Sequence, residues 1–270
     1  MGLRERKTGR RRQAAGKERD GVEEIRITSR KNGKLQQVKK LFASRKAREE
    51  AGLFVSDGIK LLSEAVRFCP GLTTVILSDG IEAGIPENVE VIRVPEDVMA
   101  SISPMESPQG AIFLCQLPEK QKFQARPGML ILDGIQDPGN LGTILRTADA
   151  LDVPVALLEG CADPYSHKVV RASMGAVLRT QVVQCPWTEA RDSCREAGIP
   201  IAVTALSERA KDIRGADLGA MAVVIGSEGR GVRREILDCA DEALIIPMNP
   251  HCESLNAAVA SAIVMWQMRG

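Results

Sequence analysis

The stretch "MLILDGIQDPGNLGTILRTADALDVPVALLE", residues 129–159, shows the plainest alternation in the chain. "MLILDGI" (129–135) is strand-like, "NLGTILRTADALD" (140–152) carries an apolar stripe at helical spacing, and "PVALLE" (154–159) is strand-like again. Asn140 stands where an N-cap would open the helix. Strand, helix and strand in such close order predict two parallel strands joined by a crossover helix. Downstream, "HKVVRASMGAV" (167–177), "TEARDSCREAG" (188–198), "RREILDCA" (233–240) and "SLNAAVASAIVMWQM" (254–268) read as helices. "RTQVVQ" (179–184), "PIAVTAL" (200–206), "AMAVVIG" (220–226) and "ALIIPM" (243–248) read as strands, the last three apolar enough to be buried on both faces. Residues 129–270 are therefore expected to form a parallel α/β sheet.

Upstream, residues 21–116 read as a separate α/β unit. "QQVKKLFASRKAREEAG" (36–52) is helical in character and stops at Gly52. "LFVSDG" (53–58), "TTVILSD" (73–79), "VEVIRVP" (89–95) and "GAIFLCQ" (110–116) are strand-like, and "IKLLSEAVRF" (59–68) is helical. The polar stretch 117–128, with two prolines, reads as a linker, and residues 1–20 as a basic, disordered leader.

Composition narrows the function. With 44% apolar and 26% charged residues the 270-residue chain is of ordinary globular type. No segment nears the roughly 18 uninterrupted apolar residues that span a bilayer, and the basic N-terminus lacks a signal-peptide core, so a cytoplasmic protein without a membrane partner is expected. The seven cysteines are scattered, with no C-x-x-C pair, which argues against a disulfide framework and a zinc site; no metal is expected. Residues 1–50 hold 17 Lys+Arg against 7 Asp+Glu, a net of +10, and the other 220 hold 19 against 28, a net of −9. Such a split suits a polyanion partner at the basic end, and equally a solvated leader. Aromatics make up only 3%, too few for a broad base-stacking surface.

Three loops follow expected strand ends, where open α/β sheets bind ligands: 133–150, 226–232 and 246–260. The glycines of "GSEGRG" (226–231) are spaced G-x-x-G-x-G, which is neither the dinucleotide fingerprint nor a phosphate loop and argues against a Rossmann dehydrogenase. Singly, Gly226 reads as a turn, Asn140 and Ser254 as helix caps, and Arg146 as a surface ion-pair residue. Together, N-x-G-x-x-x-R (140–146), I-G-S-E-G-x-G (225–231) and I-P-M-x₄-E-S-L-N (246–256) resemble, in order and position, the three motifs of the SpoU (TrmH-like) RNA ribose 2′-O-methyltransferases of the SPOUT superfamily. "HKVVRASMGA" (167–176) is similar to the segment between the first two motifs. Residues 27–66 and "SPMESPQGAIFLC" (103–115) are similar to the substrate-binding module often attached in front. Pro250 and Ala258 depart from the family, which often has Gly and Ser there.

The resemblance implies a trefoil-knotted, parallel-sheet SPOUT domain (129–270) behind a small ribosomal-protein-L30e-like α/β domain (21–116). It implies S-adenosylmethionine as cofactor, held around Thr204, Ala205, Gly226, Ile246 and Leu255. Asn140, Arg146, Glu228, Ser254 and Asn256 become the catalytic candidates. Arg146 would act either as a general base on the ribose 2′-hydroxyl or as a stabiliser of the developing alkoxide; guanidinium groups rarely give up a proton, which favours the second. Glu228 would place an arginine, favour the sulfonium or brace its loop. Arg30, Lys31, Arg45 and Lys46 would meet RNA phosphate. The implied substrate is 23S ribosomal RNA, with tRNA as an alternative, and a non-catalytic RNA-binding or assembly factor as the rival outside enzymes. A homodimer is implied as well, and the helix 254–268 with Trp266 is either part of its interface or one more core helix.

Overall fold

The computed structural model describes residues 24–205, 210–227, 229–249 and 251–270. The leader, Glu228 and Pro250 lie outside the described residues. The first domain runs β1 (Glu24–Arg26), α1 (Gly33–Ala43), α2 (Arg45–Ala51), β2 (Leu53–Asp57), α3 (Ile59–Phe68), β3 (Leu72–Ser78), β4 (Glu90–Val94), α4 (Glu96–Ile102) and β5 (Ala111–Gln116). Its sheet has the order β1-β4-β3-β5-β2, parallel over β1, β4 and β3, with β5 antiparallel to both neighbours. The single helix expected over 36–52 is two helices. Ser44 is extended, and its hydroxyl accepts the Ala47 N–H (3.2 Å), so the chain caps a new helix there. Gly52 ends that helix in the left-handed region.

The second domain runs β6 (Met129–Asp133), α5 (Pro138–Leu151), β7 (Val155–Leu157), α6 (His167–Ala172), β8 (Val182–Gln184), α7 (Trp187–Ala197), β9 (Ile201–Thr204), β10 (Lys211–Asp212), β11 (Ala222–Gly226), α8 (Arg234–Leu237), β12 (Glu242–Ile245) and α9 (Ala257–Arg269). All seven strands are parallel, in the order β10-β12-β9-β11-β6-β7-β8. Successive side chains of a strand alternate between faces. Leu130, Leu132, Val223 and Ile225 accordingly pack with α5, α6 and α9, whereas Met129, Ile131, Ala222 and Val224 pack with α7 and α8. Both faces are covered, which is why these strands are continuous apolar runs.

Several expected boundaries move. Asn140 does not cap α5. Asp137 does, accepting the Asn140 N–H (2.8 Å), with Pro138 at the first helical position. The last helix begins three residues later than expected, capped by Asn256. The helix expected over 167–177 stops at Ala172, after which Met174 and Gly175 turn with positive φ. The linker is not a free spacer. Phe123 is buried in the α7 face of the core, its N–H is accepted by Glu189, and the Ala125 N–H is accepted by Ser193.

The two domains share one apolar core: Phe54, Leu61 and Leu62 belong to the same cluster as Tyr165, Val169 and Val170. At its margin Arg48 (5% exposed) donates to Asp163 at 2.6 Å and to the Leu41 carbonyl, and Arg171 donates to the buried Asp57 at 2.8 Å. Arg179 ties Glu64 of the first domain to Asp149 of the second.

Candidate active site

The C-terminal ends of β6, β11, β9 and β12 stand side by side. Gly226 is level with Asp133, and Thr204 with Leu244. The three loops singled out from the sequence all leave from this edge.

The first loop delivers α5, and the third delivers α9. Asn256 joins them. Its Oδ1 accepts the Ala258 and Val259 N–H groups (2.9 and 3.3 Å) at the start of α9, and its Nδ2 donates to Asn140 Oδ1 (2.9 Å). Two candidates 116 positions apart thus touch. Arg146 is not brought to them. Six residues on from Asn140, it lies about 9 Å farther along the helix axis. Its side chain is exposed, without a hydrogen-bond or ion-pair partner among the described residues, and so remains open to an anion. Ser254 is exposed, and its carbonyl accepts the Cys252 thiol (3.4 Å).

Among the cofactor candidates, Thr204 ends β9 with its hydroxyl on the Val224 carbonyl (3.4 Å), and the Ala205 N–H bonds the Leu244 carbonyl (3.0 Å). Ile246 and Leu255 are half-buried, with Ile246 against the core. The loop itself requires glycine at 226. A Cβ there would fall on the Gly231 backbone, because the loop closes on itself: the Gly231 N–H donates to the Ser227 carbonyl (2.9 Å).

Two residues here went unremarked in the sequence. Asp133, 2% exposed at the end of β6, accepts the Arg233 N–H (2.8 Å) and Nε–H (2.7 Å). A carboxylate closing the apolar run "MLILD" was the available signal, since a buried charge needs a partner. Cys161 donates to the Leu132 carbonyl (3.3 Å), and burial pushes its thiol above the ordinary range, so the sulfur serves packing.

The RNA-contact candidates are exposed, and three are ion-paired. Arg30 pairs with Asp97 (2.6 Å), Arg45 with Glu49 (2.8 Å) and Lys46 with Glu50 (3.7 Å); Lys31 is exposed. Exposed pairs of this kind are weak, so they exchange readily for phosphate. Among the described residues there is no cluster of His, Cys, Asp and Glu able to hold a metal, and no helix is long and apolar enough to cross a membrane.

Known proteins resemble this chain over both of its sheets. The SpoU rRNA Methylase family matches residues 127–266, and an MRM3-like substrate binding domain matches residues 32–112. The chain is 34% identical over 249 residues to the 23S rRNA (guanosine(2553)-2′-O)-methyltransferase RlmP of Bacillus subtilis (strain 168), covering 90% of this chain and 99% of that relative. Its fold matches an AdoMet-bound rRNA methyltransferase from Sinorhizobium meliloti with a TM-score of 0.80 at 27% identity, over 91% of this chain and 97% of the other. It also matches the SpoU methyltransferase AviRb from Streptomyces viridochromogenes in complex with AdoMet (TM-score 0.76, 25% identity, 88% and 97% covered).

Proposed function

This chain belongs to the SpoU rRNA methylase family, and from that premise we propose that it methylates a ribose 2′-hydroxyl of 23S ribosomal RNA. The class is that of S-adenosylmethionine-dependent RNA 2′-O-methyltransferases. The choice of 23S RNA over tRNA rests on the near full-length likeness to RlmP and on the substrate-binding domain in front.

The edge suits the cofactor chemically. Thr204, Ala205, Gly226, Ile246 and Leu255 offer backbone donors and acceptors beside half-buried apolar side chains, a set that accommodates an adenine and a methionine chain without fixed charge. When bound there, S-adenosylmethionine supplies an electrophilic methyl carbon. The chain's own work is positioning and charge stabilisation. Arg146, exposed and uncommitted, holds the RNA phosphate and stabilises the ribose oxygen as it loses its proton. Asn256 and Asn140 hold the third loop against α5, which fixes Ser254 and Leu255 beside the target nucleotide. Arg30, Lys31, Arg45 and Lys46 meet phosphates on the L30e-like domain, and the enzyme works in the cytoplasm.

Two further features belong to this reading. One is a trefoil knot, a reading supported by the strand order β12-β9-β11-β6 together with the packing of α9, which follows β12, against α5, which follows β6. On α9, Val259, Ile263 and Trp266 form an exposed stripe at i, i+4 and i+7 that fits a second copy of the chain.

The test is methyl transfer from labelled S-adenosylmethionine to unmodified 23S rRNA and, separately, to unmodified tRNA. Label should enter 23S rRNA as an alkali-resistant 2′-O-methyl nucleotide. In Arg146→Ala it should fall about a hundredfold or more, with cofactor binding retained. Transfer to tRNA alone would overturn the choice of substrate, and full activity in the variant would remove Arg146 from the mechanism.

A further inference from the structure

The loop 226–232 has both its ends at a single residue. Where it leaves the sheet, Gly226 lies level with Asp133 on the neighbouring strand. Where it returns, the Asp133 carboxylate accepts the Arg233 backbone N–H on Oδ2 (2.8 Å) and the Arg233 Nε–H on Oδ1 (2.7 Å). Between these points the loop is closed again by the Ser227–Gly231 bridge. We propose that Asp133 is a positioning residue for methyl transfer, acting through Arg233 to hold the loop 226–232 at the distance from β9 and β12 that the cofactor requires.

The surroundings of the pair support a latch. Asp133 is almost wholly buried, and a carboxylate in that setting is costly unless every oxygen is used. Both oxygens are used, and both on Arg233. Glu235 (3.0 Å) and Glu159 (3.6 Å) also face the Arg233 guanidinium, but both are more than half exposed, where ion pairs are weak. Of the three carboxylates around Arg233, Asp133 is the one that belongs to a strand of the sheet. The helix that follows, α8, has four residues, too short for its own dipole to account for a buried carboxylate. The proposal rests on the methyltransferase reading, because it concerns the position of a cofactor loop.

The experiment compares Asp133→Asn, Arg233→Ala and the double variant with the wild-type enzyme on 23S rRNA. It measures kcat, KM for S-adenosylmethionine, thermal midpoint and amide hydrogen exchange over 226–233. Each single variant should raise KM for S-adenosylmethionine roughly tenfold, the cost of losing a charge-assisted hydrogen bond, with kcat changing far less. Exchange over 226–233 should quicken before cofactor is added. The double variant should be no worse than the poorer single, since the two residues form one unit. A lowered midpoint with wild-type KM and wild-type loop exchange would overturn the proposal, reducing the pair to a brace. Additive losses in the double variant would overturn it as well. A wild-type enzyme that binds no S-adenosylmethionine would bring down the functional reading and this proposal together, whereas an active wild type with unaffected variants would bring down this proposal alone.

Discussion

His167 opens α6 with its ring edge on Phe42 (centroids 5.4 Å apart), at the seam between the domains. Its Nδ1 is buried without a hydrogen-bond partner among the described residues. Burial lowers its pKa below the ordinary 6.5, and Asp57 opposes that only partly, with Lys168, Arg48 and Arg171 adding to the lowering. A base whose folded pKa is depressed binds fewer protons folded than unfolded, so stability rises with pH through the window below 6.5 and is lost as pH falls through it. Wild-type enzyme should melt lower at pH 5 than at pH 7.5, and His167→Gln should flatten that difference; an equal difference in both would show that other groups govern it. Individual residues were also where the sequence was least legible. Asn140 reads locally as the cap of α5, but Asp137 takes the cap and the Asn140 side chain meets Asn256. Asp133 and Arg233 are 100 positions apart, and no local pattern announces such a pair.

The elements themselves were mostly readable, because the pressures that form them are local. Apolar runs marked β6, β9, β11 and β12, rich in β-branched residues in β9 and β11, and glycines in the left-handed region closed α2 and α7. Element ends were less readable, since two neighbouring polar residues compete for a cap and only three-dimensional packing decides between them, as with Ser254 and Asn256. Helix-on-helix contact was invisible. Gly142 in α5 lies against α6, and a Cβ there would stand 2.8 Å from the Ser173 nitrogen and closer still to the Ala172 Cβ. Alanine gains roughly 1 kcal/mol of helix propensity over glycine. Overpacking against backbone costs about 1–3 kcal/mol, and here the obstacle cannot swing aside. With the cost at the upper end of that range, Gly142→Ala should destabilise the enzyme by a net ~2 kcal/mol in chemical denaturation. A stabilised variant would mean that α6 yields easily.

For the whole molecule, chain order suggests two units, and no local pattern says how they meet, since the contacts at that seam join distant residues. Trp266 is 71% exposed at the end of the stripe on α9, an unusual position for so large an apolar ring. If a second copy covers it, Trp266→Glu should weaken the dimer roughly thirtyfold or more, read by sedimentation velocity over a concentration series. An unchanged sedimentation coefficient at every concentration would remove α9 from the interface. The seam between domains has its own consequence. A shared core, with Arg48 and Asp163 sealed at its margin, leaves no hinge between the front domain and the strand-end loops. An RNA gripped at the front would meet a reaction centre at a set reach, like work held in a caliper. The nucleotide chosen would then be decided by length along a folded RNA as much as by the letters at the target.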